Sequence, residues 1–208
     1  MESSPEIFDD IEQGTDAWRQ LRLGVVTTSE FQALLTKGRG GTESKTRLSY
    51  MRRLAGEIIT QQPGETFESA AMIRGHEMEA EARDFYAFMR DVVPVSVGFI
   101  RNGRKGCSPD SLVDNDGMLE IKTQRADLLV DTILKDEFPS IHMAQCQGAL
   151  WVAEREWIDL AIYWPGMPFF VKRTTRDDDF IKDLAAALDI FNAELDAMVE
   201  KIRKYEAV

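Results

Sequence analysis

A mixed α/β fold, with one β-sheet flanked by helices, is what the sequence predicts, and residues 1–208 are read as a single domain. Three observations predict it. Helical periodicity opens and closes the chain, two-residue alternation occupies its middle, and its 208 residues are 44% hydrophobic, enough for one packed core.

The elements follow in order. Thr15 caps a short helix over 16–22, which Gly24 ends. Thr27-x-x-Glu30 forms a capping box ahead of Phe31, Leu34 and Leu35, so a second helix is expected after Thr27. The stretch KGRGGTESK (37–45) reads as a mobile loop, and a helix over about 45–59 follows. Over 69–90, Met78, Ala82, Phe85, Tyr86 and Met89 fall on one helical face. VVPVSVGFI (92–100) is expected as a strand, with Pro94 assigning it to an edge or a bulge. A short strand at 111–113, a DNDG turn and the strand MLEIKT come next. Residues 141–154 read as a helix, and WIDLAIYW and FFVKRT as paired strands. In the last helix Phe180, Leu184, Leu188, Phe191, Leu195, Met198 and Ile202 recur at three- and four-residue steps. Acids open that helix, and Lys201, Arg203 and Lys204 close it, matching the helix dipole. Helix, strands, helix and strands in that order make a mixed sheet between helices.

Composition bounds the function. No apolar run reaches the ~20 residues that span a bilayer. The acidic start MESSPEIFDDIEQG lacks the basic-then-apolar pattern of a signal peptide, so a cytoplasmic protein is expected. Cys107 and Cys146 are too few for a disulfide framework or a four-cysteine metal site. The net charge of −11 argues at first against a nucleic-acid partner. Its distribution argues otherwise: Lys37, Arg39, Lys45, Arg47, Arg52 and Arg53 face a single Glu43, and Arg101, Arg104 and Lys105 form a second basic group. Acids such as Asp177, Asp178 and Asp179 dominate elsewhere, so a locally basic channel within an acidic exterior reconciles the total.

The chemistry concentrates in GCSPDSLVDNDGMLEIKT, residues 106–123. Alternate side chains of a strand share a face, so Glu120 and Lys122 point one way while Leu119 and Ile121 point into a core. Asp110 shares the Glu120 face if the hairpin pairs the two, which needs an odd-length loop or a bulge; Asp114-Asn115-Asp116 supplies one. Pro109 holds Ser108 extended and helps to aim Asp110. A phosphodiester repels hydroxide, and two carboxylates suit the hard, oxygen-ligated Mg²⁺ that would offset its charge. Lys122 could orient water, accept its proton or stabilise developing charge. An E-x-K alone is weak among 36 acidic residues, but Ser-Pro-Asp, a short apolar strand, a turn and Leu-Glu-Ile-Lys together are restrictive.

The chain resembles the lambda exonuclease (YqaJ-like viral recombinase) family. The resemblance rests on DAWRQLRLGVVTTSEF (16–31), RGHEMEAEAR (74–83), CSPDSLV with LEIK (107–122) and HMAQCQGALWV (142–152). It implies a restriction-endonuclease-like, PD-(D/E)XK fold. It also implies that Asp110, Glu120 and the main-chain carbonyl of Ile121 hold the metal, one or two Mg²⁺ ions for which Mn²⁺ can substitute. Lys122 matches the catalytic lysine, Glu79 a helix-borne acid near a second metal or the attacking water, and Gln145 a glutamine reaching the site. The bland alternative for Glu79 is an ion pair with Arg83 on a solvated face. Arg22, Ser29 and Ser108 match residues that hold the 5′-phosphate of the digested strand. The bland alternative for Arg22 is pairing with Asp16, and Trp18 is read as core. His142 stands where the family has a tyrosine and receives no role. Ser111 departs from the glycine that often follows Ser-Pro-Asp.

The resemblance further implies a phage- or prophage-encoded 5′-to-3′ exonuclease acting on linear double-stranded DNA, with a ring-shaped homotrimer and a single-strand annealing protein as partners. A restriction-type endonuclease shares the same Asp and Glu-x-Lys. A non-catalytic DNA-binding module of this fold should have lost one of Asp110, Glu120 and Lys122, and all are present.

Overall fold

The computed structural model describes residues 4–38, 44–64 and 70–205. The expected loop at 37–45 therefore lies largely outside the described residues, Arg39 and Glu43 with it, as does the start of the 69–90 helix at Ser69.

Two four-stranded sheets form the frame. The first is built from β1 (Glu6–Phe8), β2 (Val26–Thr27), β3 (Phe99–Asn102) and β4 (Lys105–Cys107), in the order β1-β3-β4-β2. The second holds β5 (Ser111–Val113), β6 (Gly117–Thr123), β7 (Trp157–Tyr163) and β8 (Phe170–Thr175), in chain order. The helices are α1 (Asp16–Leu21), α2 (Phe31–Leu35), α3 (Lys45–Thr60), α4 (Ala70–Arg90), α5 (Ala126–Lys135), α6 (Met143–Ala153) and α7 (Asp178–Arg203). Among the described residues no helix is long and apolar enough to cross a membrane.

Local chemistry explains most boundaries. The Thr15 side chain caps α1 by accepting from Trp18 N at 3.3 Å. Ser44 and Asp177 cap α3 and α7 in the same way. The apolar stripe of α7 buries Leu184, Leu188, Phe191, Leu195 and Val199 against α2, α3 and α6, whereas Ile202, at the end of the expected stripe, is exposed.

Hairpin β5–β6 runs Ser111↔Leu119, Leu112↔Met118 and Val113↔Gly117, closed by the three-residue loop 114–116 with Asp114 at φ 50°. One step further along that register, Asp110 lies opposite Glu120, as the odd-length loop requires. Strand β6 is central, antiparallel to β5 and parallel to β7. Its Leu119 and Ile121 pack with Ala82 and Tyr86 of α4, while Met118, on the Glu120 face, packs with Cys146 and Ala149 of α6. Two helices on opposite faces thus converge on one strand.

Four expectations need correction. Of 92–100, only Phe99 and Ile100 lie in a strand; Val95 exchanges two backbone hydrogen bonds with Leu112 as a single bridge, and the ladder extends no further. The Thr27 capping box does not form. Thr27 N donates to Tyr50 Oη at 3.0 Å, its hydroxyl turns towards Arg22 and Ser29, and a 3-10 turn (Thr28–Glu30) leads into α2. Residues 140–142 are likewise a 3-10 turn ahead of α6. Helix α5 was not expected, although Leu129 and Ile133, one turn apart, pack beneath the second sheet.

The basic groups are partly neutralised. Arg47 pairs with Glu194 at 2.5 Å, Arg104 grips Asp196 through two 2.7 Å contacts, and Arg53 pairs with Glu30 at 2.7 Å. Two of these pairs tie cations to α7, so the basic channel expected from composition is weaker than the count of arginines implied.

Candidate active site

Strand β6 delivers Glu120 and Lys122 to one point. Lys122 Nζ donates to Glu120 Oε1 at 2.6 Å, and Gln145 Nε2, from the first turn of α6, donates to the same oxygen at 2.5 Å. The Glu120 carboxylate is buried. Asp110 Oδ2 accepts from the main-chain N–H of Ile121. Of Ile121, then, the amide is engaged with Asp110, whereas the resemblance pointed to its carbonyl.

Glu79 approaches from α4. It pairs with Arg83, so the i,i+4 ion pair of the bland alternative is present. It is not a solvated pair, however: Arg83 Nη2 also donates to the main-chain carbonyl of Asp110 at 3.4 Å, and the Arg83 Nε is buried with no partner among the described residues. His76 Nδ1 stands 3.7 Å from the other Glu79 oxygen. Asp110, Glu79, Arg83 and His76 share a cleft of about 790 Å³ with the segment 9–15.

Electrostatics single out Asp110. Burial pushes its carboxyl well above the usual carboxylate range, and the Glu120 charge adds to this, ahead of the opposing pull of Lys122 and the further push of Glu79. Lys122 moves the other way. Burial acts to lower its pKa, but Glu120 and Asp110 outweigh that and hold the ammonium form above its ordinary value. His142, half-buried and near the Lys122 charge, is pushed down to about 4 by desolvation first and by that charge second.

These groups fit a divalent cation. Two enclosed carboxylates face a single ammonium, and the raised Asp110 marks the charge left over. Among the described residues no three carboxylate, histidine or cysteine side chains already form a metal cage, so Glu79 is not drawn in as a third ligand here.

A second cavity, of about 300 Å³, is lined by Arg22, Ser29, Thr27, Trp18 and Arg53, and shares Gln13, Gly14 and His76 with the first. Arg22 has no carboxylate partner among the described residues; Asp16 pairs with Arg19 instead, at 2.8 Å. Burial lowers the Arg22 pKa, while its guanidinium lies 4.0 Å from the Trp18 ring and 3.5 Å from Thr27 Oγ1. Trp18 is not core: it is half-buried, and its indole N–H reaches Ser108 Oγ at 2.9 Å. Ser108 therefore joins this group through Trp18, beside the cavity rather than in its lining.

Sequence reasoning missed Arg83 as a bridge and Gln13 as a brace. Gln13 Nε2 donates to Val97 O at 2.8 Å and Pro109 O at 3.0 Å, holding the segment that carries Ser108 and Asp110. Gly98 permits this crossing, since a Cβ there would stand 1.9 Å from the Ile11 carbonyl. The arginine of the RGHEMEAEAR motif was the only visible signal; the Gln13 contacts, 84 and 96 residues apart in sequence, left none.

An aspartate set opposite Glu-x-Lys at one end of a helix-covered mixed sheet defines the class, a nuclease of the restriction-endonuclease-like fold. The comparisons agree. The model of the YqaJ-like viral recombinase domain matches residues 17–156, a span that includes every site residue discussed above except those of the segment 9–16. The chain belongs to the YqaJ-like viral recombinase domain family. The structure of an alkaline exonuclease, LHK-Exo, from Laribacter hongkongensis is similar to it with a TM-score of 0.82 and 29% identity, covering 91% of this chain and 97% of that one. LHK-Exo in complex with dAMP gives 0.83 and 30% over the same shares, 91% and 97%. A phage related exonuclease from Haemophilus somnus 129PT gives 0.65 at 13% identity, over 88% of this chain and 99% of that one, a likeness of fold alone. A search of curated protein sequences found no match.

Proposed function

We propose that residues 1–208 act as one nuclease domain, a Mg²⁺-dependent exonuclease that digests one strand of linear double-stranded DNA from its 5′ end. The observation that carries this is the pair Asp110 and Glu120 enclosed against the single ammonium of Lys122. Asp110, Glu120, the Ile121 carbonyl and, on closer approach, Glu79 would hold one or two Mg²⁺ ions, with Mn²⁺ able to substitute. Bound there, Mg²⁺ supplies charge neutralisation of the phosphoryl group and a more acidic water.

The chain's own residues do the rest. Lys122, held beside Glu120, donates to and stabilises oxygen charge at the site. Gln145 keeps the Glu120 carboxylate in place, and Arg83 does the same for Glu79. Arg22, Ser29 and Ser108 receive the 5′-phosphate. That the Arg22 cavity is distinct from the Asp110 cleft, yet shares a wall with it, supports an end held beside the bond to be broken. The family match supports a phage-type recombination enzyme acting in the cytoplasm; a ring-shaped homotrimer around the duplex and 3′ tails handed to a single-strand annealing protein complete the reading as the resemblance implies them.

The test is a linear duplex phosphorylated at one 5′ end, each strand separately labelled, digested with and without Mg²⁺ beside a closed circle. Loss of the phosphorylated strand from its 5′ end, with circles spared, is the expected result. Cutting of circles would make the protein an endonuclease, and metal-dependent binding without cutting would make it a DNA-binding module.

A further inference from the structure

Trp18 is placed where neither core packing nor base stacking explains it. Its Nε1–H lies 3.0 Å from Gly98 O and 2.9 Å from Ser108 Oγ, and its ring carries the Arg22 guanidinium at 4.0 Å from the centroid. An indole nitrogen has one proton and accepts nothing, so at Ser108 the direction of the bond is fixed: the hydroxyl accepts. A hydroxyl has one proton and two lone pairs. With one lone pair engaged by Trp18, the Ser108 proton stays available, and among the described residues it is donated to no group. The same indole seats Arg22, whose guanidinium makes no ion pair with a carboxylate among the described residues.

We infer that Trp18 is a positioning residue that presets Ser108 and Arg22 together as donors to a terminal phosphate monoester. The inference rests on the proposed reading that these two residues receive the 5′-phosphate. Its physical content lies in the indole proton. Gly98 O and Ser108 Oγ share that one proton, at 3.0 and 2.9 Å from the nitrogen. Remove the indole N–H, and the Ser108 hydroxyl loses the donor that engages one of its lone pairs and so fixes where its own proton points. That proton is then no longer preset for the phosphate, while an aromatic ring remains beneath Arg22.

The test is Trp18→Phe in the full chain with Mg²⁺. The initial digestion rates of matched duplexes with 5′-phosphate and 5′-hydroxyl ends are measured on one preparation. Their ratio is the readout, and any loss of folded protein cancels in it. Trp18→Phe should lower the ratio about tenfold, the scale of one hydrogen bond to a charged group. Trp18→Phe combined with Ser108→Ala should be no worse than Ser108→Ala alone, because both act through the same proton. Arg22→Ala, run in parallel, should collapse the ratio. If Arg22→Ala collapses it and Trp18→Phe leaves it within about twofold of the parent, Trp18 is a filler and this inference is overturned. Independent, multiplicative losses from Trp18→Phe and Ser108→Ala would overturn it too. A ratio unmoved by Arg22→Ala removes the phosphate-holding reading itself, and this inference with it.

Discussion

Replacing Asp110 by asparagine should stabilise the protein while abolishing its chemistry, and the two effects can be worked out together. Asparagine matches aspartate in shape and keeps an oxygen to accept from the Ile121 N–H. What it removes is one of two carboxylates sharing a single ammonium. Directly opposite residues in an antiparallel pair have Cβ atoms about 5 Å apart, and two like charges at that distance repel by about 3 kcal/mol at an effective dielectric of about 20. The attraction of Asp110 to Lys122, also lost, offsets most of this, leaving about 1 kcal/mol in favour of the variant. At this chain length that is a rise of about 2–4 °C in Tm.

The sign depends on pH. Because the folded-state pKa of Asp110 is raised, the folded protein binds this proton more tightly than the unfolded chain does. Native stability therefore falls as pH climbs from the ordinary carboxylate value through the raised one. The gap between variant and parent should be small near about pH 4 and widest near about pH 8. The assay is thermal denaturation in a chelating buffer across that range, repeated with excess Mg²⁺. Metal should raise the parent's Tm and close the gap, because only the parent keeps both carboxylates. A variant less stable than the parent in chelator at about pH 8 would refute the reasoning, since the carboxylate would then be relaxed and the site would hold no surplus charge.

Three further outcomes are expected. Lys122→Met should slow bond breaking about 10²–10³-fold under single-turnover conditions with duplex binding measured separately; unchanged turnover would take Lys122 out of the chemistry. Tyr86→Phe deletes the buried 2.7 Å hydrogen bond to Asp159, whose carboxylate also holds Arg173 at 2.8 and 2.9 Å. A loss of about 1.5–3 kcal/mol, or about 3–12 °C by calorimetry, is expected, and a shift below about 1 °C would mean the bond contributes nothing. Gly148→Ala sets a methyl 2.5 Å from the Phe31 ring, so α6 must move; the urea midpoint should fall by the equivalent of about 1–3 kcal/mol, and an unchanged midpoint would show that the contact yields freely.

What was legible in the sequence was local. The side-chain period of two and a three-residue loop decide that Asp110 faces Glu120, and the apolar stripe of α7 decides which of its faces is buried. What was not legible has tertiary causes. Strands β1, β2 and β4 run for two or three residues, too short to show alternation. Thr27 and Glu30 spell a capping box, yet the Thr27 amide goes to Tyr50 and Glu30 pairs with Arg53, both from α3. Trp18 looked like core because an indole is mostly apolar, and only the fold brings Gly98 and Ser108 to its one polar atom.

The junction between the two sheets has a mechanical meaning. Strand β4 ends at Cys107 and β5 begins at Ser111, so only Ser108, Pro109 and Asp110 join them. Two residues of chain separate the α-carbons of Ser108 and Asp110 by at most about 7 Å, however the helices around them breathe. In the proposed function the hydroxyl that grips the end and the carboxylate beside the severed bond are mounted on this one short rod, stiffened by the Pro109 ring and pinned at its carbonyl by Gln13. On that reading, the span between the held end and the cut bond is bounded by covalent bonds as well as by packing.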